Sequence, residues 1–147
     1  MNPFLLPPAE RLADWRQFRT SLTKIDDDQQ ISAVATYWAQ APLLRIAYDL
    51  DGNWPTIWEM IYANHWCRNT VAIGMEATLR LAGMHSDRLT LRLINDNDIH
   101  EVLLILVIDD RCVLNYDWGY ARPFLQTDYS ILCEWRYTGR DYTILDG

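Results

Sequence analysis

The feature that most constrains this chain is a change of period near Gly83: before it apolar residues recur three and four apart, and after it they alternate. Leu12, Trp15, Phe18, Leu22 and Ile25 predict an amphipathic helix over about residues 8–25, behind the Pro7-Pro8 punctuation. Asp26, Asp27 and Asp28 supply caps for a second helix with the stripe Ile31, Val34, Ala35 and Trp38, ending near Pro42. Carboxylates favour a helix N-terminus, so the acidic triplet reads as capping rather than as a metal site. Residues 43–55 read as irregular, with an Asp51-Gly52 turn; Asp49 and Asp51 lack the later ligands of a calcium loop. Thr56, with Glu59 three residues on, is a capping box opening a third helix. Asn64 is the expected N-cap of the strongest helix, residues 66–82, which Gly83 terminates.

In the second half Leu89, Leu91 and Leu93 alternate with Thr90 and Arg92, the pattern of a half-buried strand. Further strands are expected at His100–Ile108, from Cys112 to about Asp117, at Ile131–Tyr137 and at Tyr142–Leu145. Helices first and meandering strands afterwards give an α+β fold, with N-terminal helices packed on a small antiparallel sheet. The 147 residues, half of them hydrophobic, suit a single domain, helical over about 8–83 and stranded over about 88–145.

A net charge of −7 argues against binding nucleic acid through its phosphates and against anionic membranes. The longest apolar run, Val102–Ile108, is too short to span a bilayer as a helix. Three cysteines without a CxxC fit a reduced compartment. The start lacks the basic region of a signal peptide, so the cytoplasm is the expected location. Seven tryptophans and eight tyrosines are read mainly as core and rim.

One constellation bears chemistry. A helix N-terminus can stabilise a thiolate, a histidine can take its proton, and a third group can orient the ring. Cys67 in the first turn of the main helix, His100 at a strand start, and Asn115 and Asp117 on the next strand supply those parts. A small thiol on an inward helix stripe is equally an ordinary core residue, and His100 equally a structural histidine. Cys112 and Cys133 read as core. His65 does not share a helix face with Cys67, and His85 sits in a solvated loop. A tight turn at Asp109-Asp110 sets Asp117 opposite Val102 and Asn115 opposite Leu104, and a two-residue shift brings Asp117 opposite His100. Either register pairs odd with even positions and keeps all three on one face; pairing like parities sends Asn115 and Asp117 to the other. Cys and His never cluster at ligand spacing, so no metal or cofactor is implied.

The stretch from Cys67 to Gly83, together with His100 to Asn115, resembles the transglutaminase-like branch of the papain-like cysteine enzymes. The resemblance covers about a third of the chain. It implies a transglutaminase/papain-like core and a cysteine-dependent acyl transferase or amide hydrolase acting on a protein or peptide. Cys67 would be the nucleophile, His100 the base, and Asn115 or Asp117 the orienting group. The Cys67 backbone N–H would serve an oxyanion hole, with Trp54 or Trp66 as candidate side-chain donors. The chain departs from the pattern in Trp66 before the cysteine, Glu101 after the histidine, and Asn115 where Asp is usual. Trp54–Ile61 with Val113–Tyr116 resembles small uncharacterised proteins of tailed bacteriophages. That likeness implies a catalytically inactive accessory protein that binds a protein partner, in the cytoplasm of an infected bacterium.

Overall fold

The computed structural model describes residues 1–44, 54–123 and 128–145. The Asp49–Asp51 pair and the Asp51-Gly52 turn lie outside the described residues. Among the described residues four α-helices, α1 (Pro8–Leu22), α2 (Asp27–Trp38), α3 (Ile57–Ala63) and α4 (Thr70–Leu81), precede the strands. These are β1 (Leu89–Asp96), β2 (Glu101–Ile108), β3 (Cys112–Leu114), β4 (Arg122–Pro123), β5 (Tyr129–Tyr137) and β6 (Tyr142–Ile144). They form one antiparallel sheet in the order β4-β3-β2-β1-β5-β6. The expected α+β architecture is the observed one.

Local chemistry sets the helix ends. Asp26 accepts from the Gln29 N–H while the Gln29 side chain reaches back, and Thr56 and Glu59 do the same for α3. α1 ends at Leu22, three residues short of expectation, because the next N–H groups turn tightly onto Thr20, Ser21 and Leu22. The Gln30 amide caps it by donating to the Leu22 carbonyl at 2.7 Å. Gly83, at φ 116°, closes α4 in the left-handed conformation that glycine adopts without strain.

α4 lies between the other helices and the sheet and is buried from Thr70 to Leu79. Thr78 ties it in place. Its hydroxyl accepts the indole N–H of both Trp15 and Trp38 at 3.0 Å and donates to the Gly74 carbonyl. A Cβ on Gly74 would stand 2.5 Å from the Trp38 ring, so only glycine lets that ring cross the helix. On the helix side of the sheet Leu91, Leu104, Leu106, Ile108, Leu114 and Trp135 join this core. Ile94, Leu103, Ile105, Val107 and Val113 form a smaller cluster on the other side. From Leu103 onward β2 is thus covered on both faces, which explains its apolar run to Ile108.

The β2–β3 register corrects the sequence expectation. Leu106 pairs with Leu114 and Ile108 with Cys112, so positions of like parity face each other. The turn holds three residues, Asp109 to Arg111, because Asp109 and Asp110 both adopt left-handed backbone (φ 56° and 55°), which aspartate tolerates. Arg88 fixes this turn by gripping both oxygens of Asp109, at 2.8 and 2.7 Å. β3 then ends at Leu114, since Asn115 is itself left-handed at φ 70°. β2 starts one residue later than expected, leaving His100 in the preceding turn.

Candidate functional site

Cys67 sits ahead of α4 rather than in its first turn. Asn64, the expected N-cap, is instead the left-handed C-cap of α3 (φ 57°), its N–H returning to the Met60 carbonyl. Trp66 is drawn into a bridge with Leu43, so the backbone there is extended and α4 begins only at Thr70. Helical bonding nonetheless reaches back to this turn, because the Cys67 carbonyl accepts from the Val71 N–H at 3.4 Å. The Cys67 N–H, expected to face an oxyanion, donates to the Thr70 hydroxyl at 2.9 Å. Cys67 is 8% exposed.

The next two residues lock this turn to the sheet. β3 is too short to pair with the first half of β2, and amide side chains take over at Leu104. The Leu104 N–H donates to the Asn69 side-chain carbonyl at 3.0 Å, and the Asn115 amide donates to the Leu104 carbonyl at 2.9 Å. The same Asn115 NH2 group donates to the Arg68 carbonyl at 2.8 Å. Arg68 answers through its guanidinium, donating to the backbone and side-chain oxygens of Asn115 and to the Tyr116 carbonyl. The guanidinium also lies over the Trp118 ring, 5.0 Å from its centre. Burial lowers the Arg68 pKa, opposed by the charges of Glu101 and Asp117.

The structure therefore brings the Cys67 turn and Asn115 together, through Arg68, and orders the other expected residues differently. His100 is exposed and left-handed (φ 55°), with no hydrogen bond or ion pair among the described residues. Asp117 forms a forked pair with Arg122 at 2.7 and 3.1 Å. Trp66 is fully buried with its indole N–H on Asn64 at 3.0 Å. Trp54 packs edge-on against Trp135 and Tyr142. Cys112 and Cys133 are half-buried, and burial pushes the Cys112 thiol up.

Sequence reasoning missed Arg68 and Asn69, whose only signal is proximity to the cysteine. It also missed the buried Glu76, which takes hydrogen bonds from Arg80 at 3.1 Å and from Tyr142 at 2.6 Å. Burial raises the Glu76 carboxyl above its ordinary range, and Arg80 stacks on the Tyr137 ring at 3.5 Å. The helical spacing of Glu76 and Arg80 was the available signal. Among the described residues there is no group of three or more His, Cys, Asp or Glu placed to hold a metal, and no helix long and apolar enough to cross a membrane.

No protein-family model matches the chain, and no curated protein matches it. Solved structures of LapG from Legionella pneumophila do. The calcium-bound form has a TM-score of 0.74 at 16% identity over 91% of this chain and 77% of that one. Two further LapG structures, one of them EGTA-treated, give 0.75 and 0.74 at 17% identity over 93% of this chain. The class that the architecture defines is α+β, with N-terminal helices packed on one antiparallel sheet. The protein it is similar to in structure is LapG, and at this identity the similarity is one of fold. The comparisons lend no support to the likeness to bacteriophage proteins.

Proposed function

We propose that this chain is a cysteine-dependent acyl transferase or amide hydrolase acting on a protein or peptide. The observation that carries the reading is the fold: LapG is a transglutaminase-like cysteine protease, and this chain shares its architecture over nearly its whole described length. Cys67 lies in the turn that leads into the central helix, where helical N–H groups favour a thiolate. The thiolate would attack an acyl carbon, and His100 would pass the abstracted proton to the departing amine. Water, deprotonated by the same ring, would then cleave the thioester. For this the His100 ring has to reach the sulfur from its exposed turn, and the β1–β2 connection is the segment that must carry it.

Particular contacts favour a second reading, a catalytically silent protein that binds a partner on the same fold. Asn115 spends its amide on the Leu104 and Arg68 carbonyls, Asp117 is held by Arg122, and Trp66 is held by Asn64. Hydrolysis of p-nitrophenyl acetate, with the acylated residue identified by mass, separates the two. The enzyme reading expects acylation at Cys67 that is lost in Cys67→Ser, and turnover slowed in His100→Ala. Equal hydrolysis by the parent and Cys67→Ser would leave the silent reading.

A further inference from the structure

One surface stands out against the acidic background of this chain. Arg16 and Arg19 on α1 and Lys24 in the turn after it, with Leu12, Trp15 and the α3 residue Trp58, border an open groove of about 720 Å³ with no acidic residue in its lining. None of the three cations is in an ion pair among the described residues. Elsewhere most arginines are engaged: Arg88, Arg92 and Arg122 hold carboxylates, and Arg11 and Arg68 hold carbonyls.

The Arg19 guanidinium is stacked on the Trp15 ring, 4.2 Å from its centre, and its Nε is covered and without a partner. Stacking fixes the orientation of the fork while leaving its charge unanswered, and Arg16 lies close enough to repel it. Trp58, about half exposed, stands edge-on to Trp15 and forms an apolar wall beside these charges. Residues 16 to 22 span six helical steps, on the order of 9 Å at 1.5 Å each, and Lys24 follows in the turn beyond, room for a few side chains of an extended peptide.

We propose that this groove binds an acidic segment of a protein partner, carboxylates on Arg16, Arg19 and Lys24 and an apolar side chain against Trp58. Planar guanidinium groups match carboxylates in forked geometry. A nucleic-acid strand fits less well. Arg19 already covers the face of Trp15, which is 1% exposed, leaving Trp58 where successive bases would need a run of open rings. The acidic remainder of the chain would also repel a phosphate backbone beyond the groove. This binding does not depend on Cys67 and holds under either reading of the function.

The test is fluorescence anisotropy of the full chain with a labelled glutamate–leucine peptide at low salt, beside a lysine–leucine peptide and labelled oligothymidylate. The proposal expects the acidic peptide to bind, weakening at least about tenfold in Arg16→Ala/Lys24→Ala, whose side chains are exposed. It expects a similar loss in Trp58→Ala, and unchanged binding in Cys67→Ser. Circular dichroism confirms that each variant is folded. No binding of the acidic peptide, binding indifferent to these substitutions, or tighter binding of oligothymidylate or the lysine peptide would each overturn it.

Discussion

Asn115→Asp is the most revealing single substitution, because the two roles available to this side chain predict opposite outcomes. An orienting group for His100 would accept the change, as aspartate is the commoner residue in the resembled pattern. In the structure Asn115 acts as a donor: it is 1% exposed, and its NH2 group serves the Leu104 and Arg68 carbonyls at 2.9 and 2.8 Å. A carboxylate turns that end into an acceptor facing two acceptors. Each lost bond leaves a carbonyl without its donor, at about 1–2 kcal/mol. The nearby Arg68 guanidinium, already on the other side-chain oxygen, returns about 1 kcal/mol by attracting the new charge. The left-handed backbone adds little, since aspartate tolerates it nearly as asparagine does. The net expectation is a loss of about 2 kcal/mol, read from the urea midpoint of tryptophan fluorescence at unchanged slope. Asn115→Asp unfolding within about 0.5 kcal/mol of the parent, or later than it, would refute the donor role.

Thr78→Val keeps the volume but strips the hydroxyl that two buried indoles share, and it should lower stability by about 2–4 kcal/mol in the same assay. The Tyr116 hydroxyl, at 2.6 Å, and the Asp98 N–H hold the Asp96 carboxyl below its ordinary value of 3.8. A carboxyl depressed by folding contributes stability that is complete above its unfolded value and disappears as pH falls through the folded one. Asp96→Asn should therefore flatten the decline in stability below about pH 4, measured as melting temperature against pH.

Where the physics was local, the sequence was readable. A cap from the acidic triplet at Asp26, the capping box at Thr56, the helix stop at Gly83, and the alternation of Leu89, Leu91 and Leu93 all appear in the structure in the roles their residue types imply. The candidate site was readable in its parts but not in its assembly. Asn64 has the chemistry of an N-cap, yet a bridge between Leu43 and Trp66, partners far apart in sequence, extends the backbone and delays α4 to Thr70. Register rested on the turn, and two consecutive left-handed aspartates stabilised by the distant Arg88 lengthened it by one residue. Arg68 and Asn69 carried no motif. Their roles exist only because β3 stops short and leaves the Leu104 backbone to be satisfied by side chains.

The reactivity of Cys67 tests the proposed chemistry most directly. In a Cys112→Ser/Cys133→Ser background, the rate of iodoacetamide modification at Cys67 would be followed against pH, with and without His100→Ala. The account predicts a thiolate formed well below the ordinary cysteine value of about 8.5, shifting toward it when the imidazole is removed. A Cys67 that titrates as an ordinary or suppressed thiol, unaltered by His100→Ala, would contradict it and leave the fold put to binding alone.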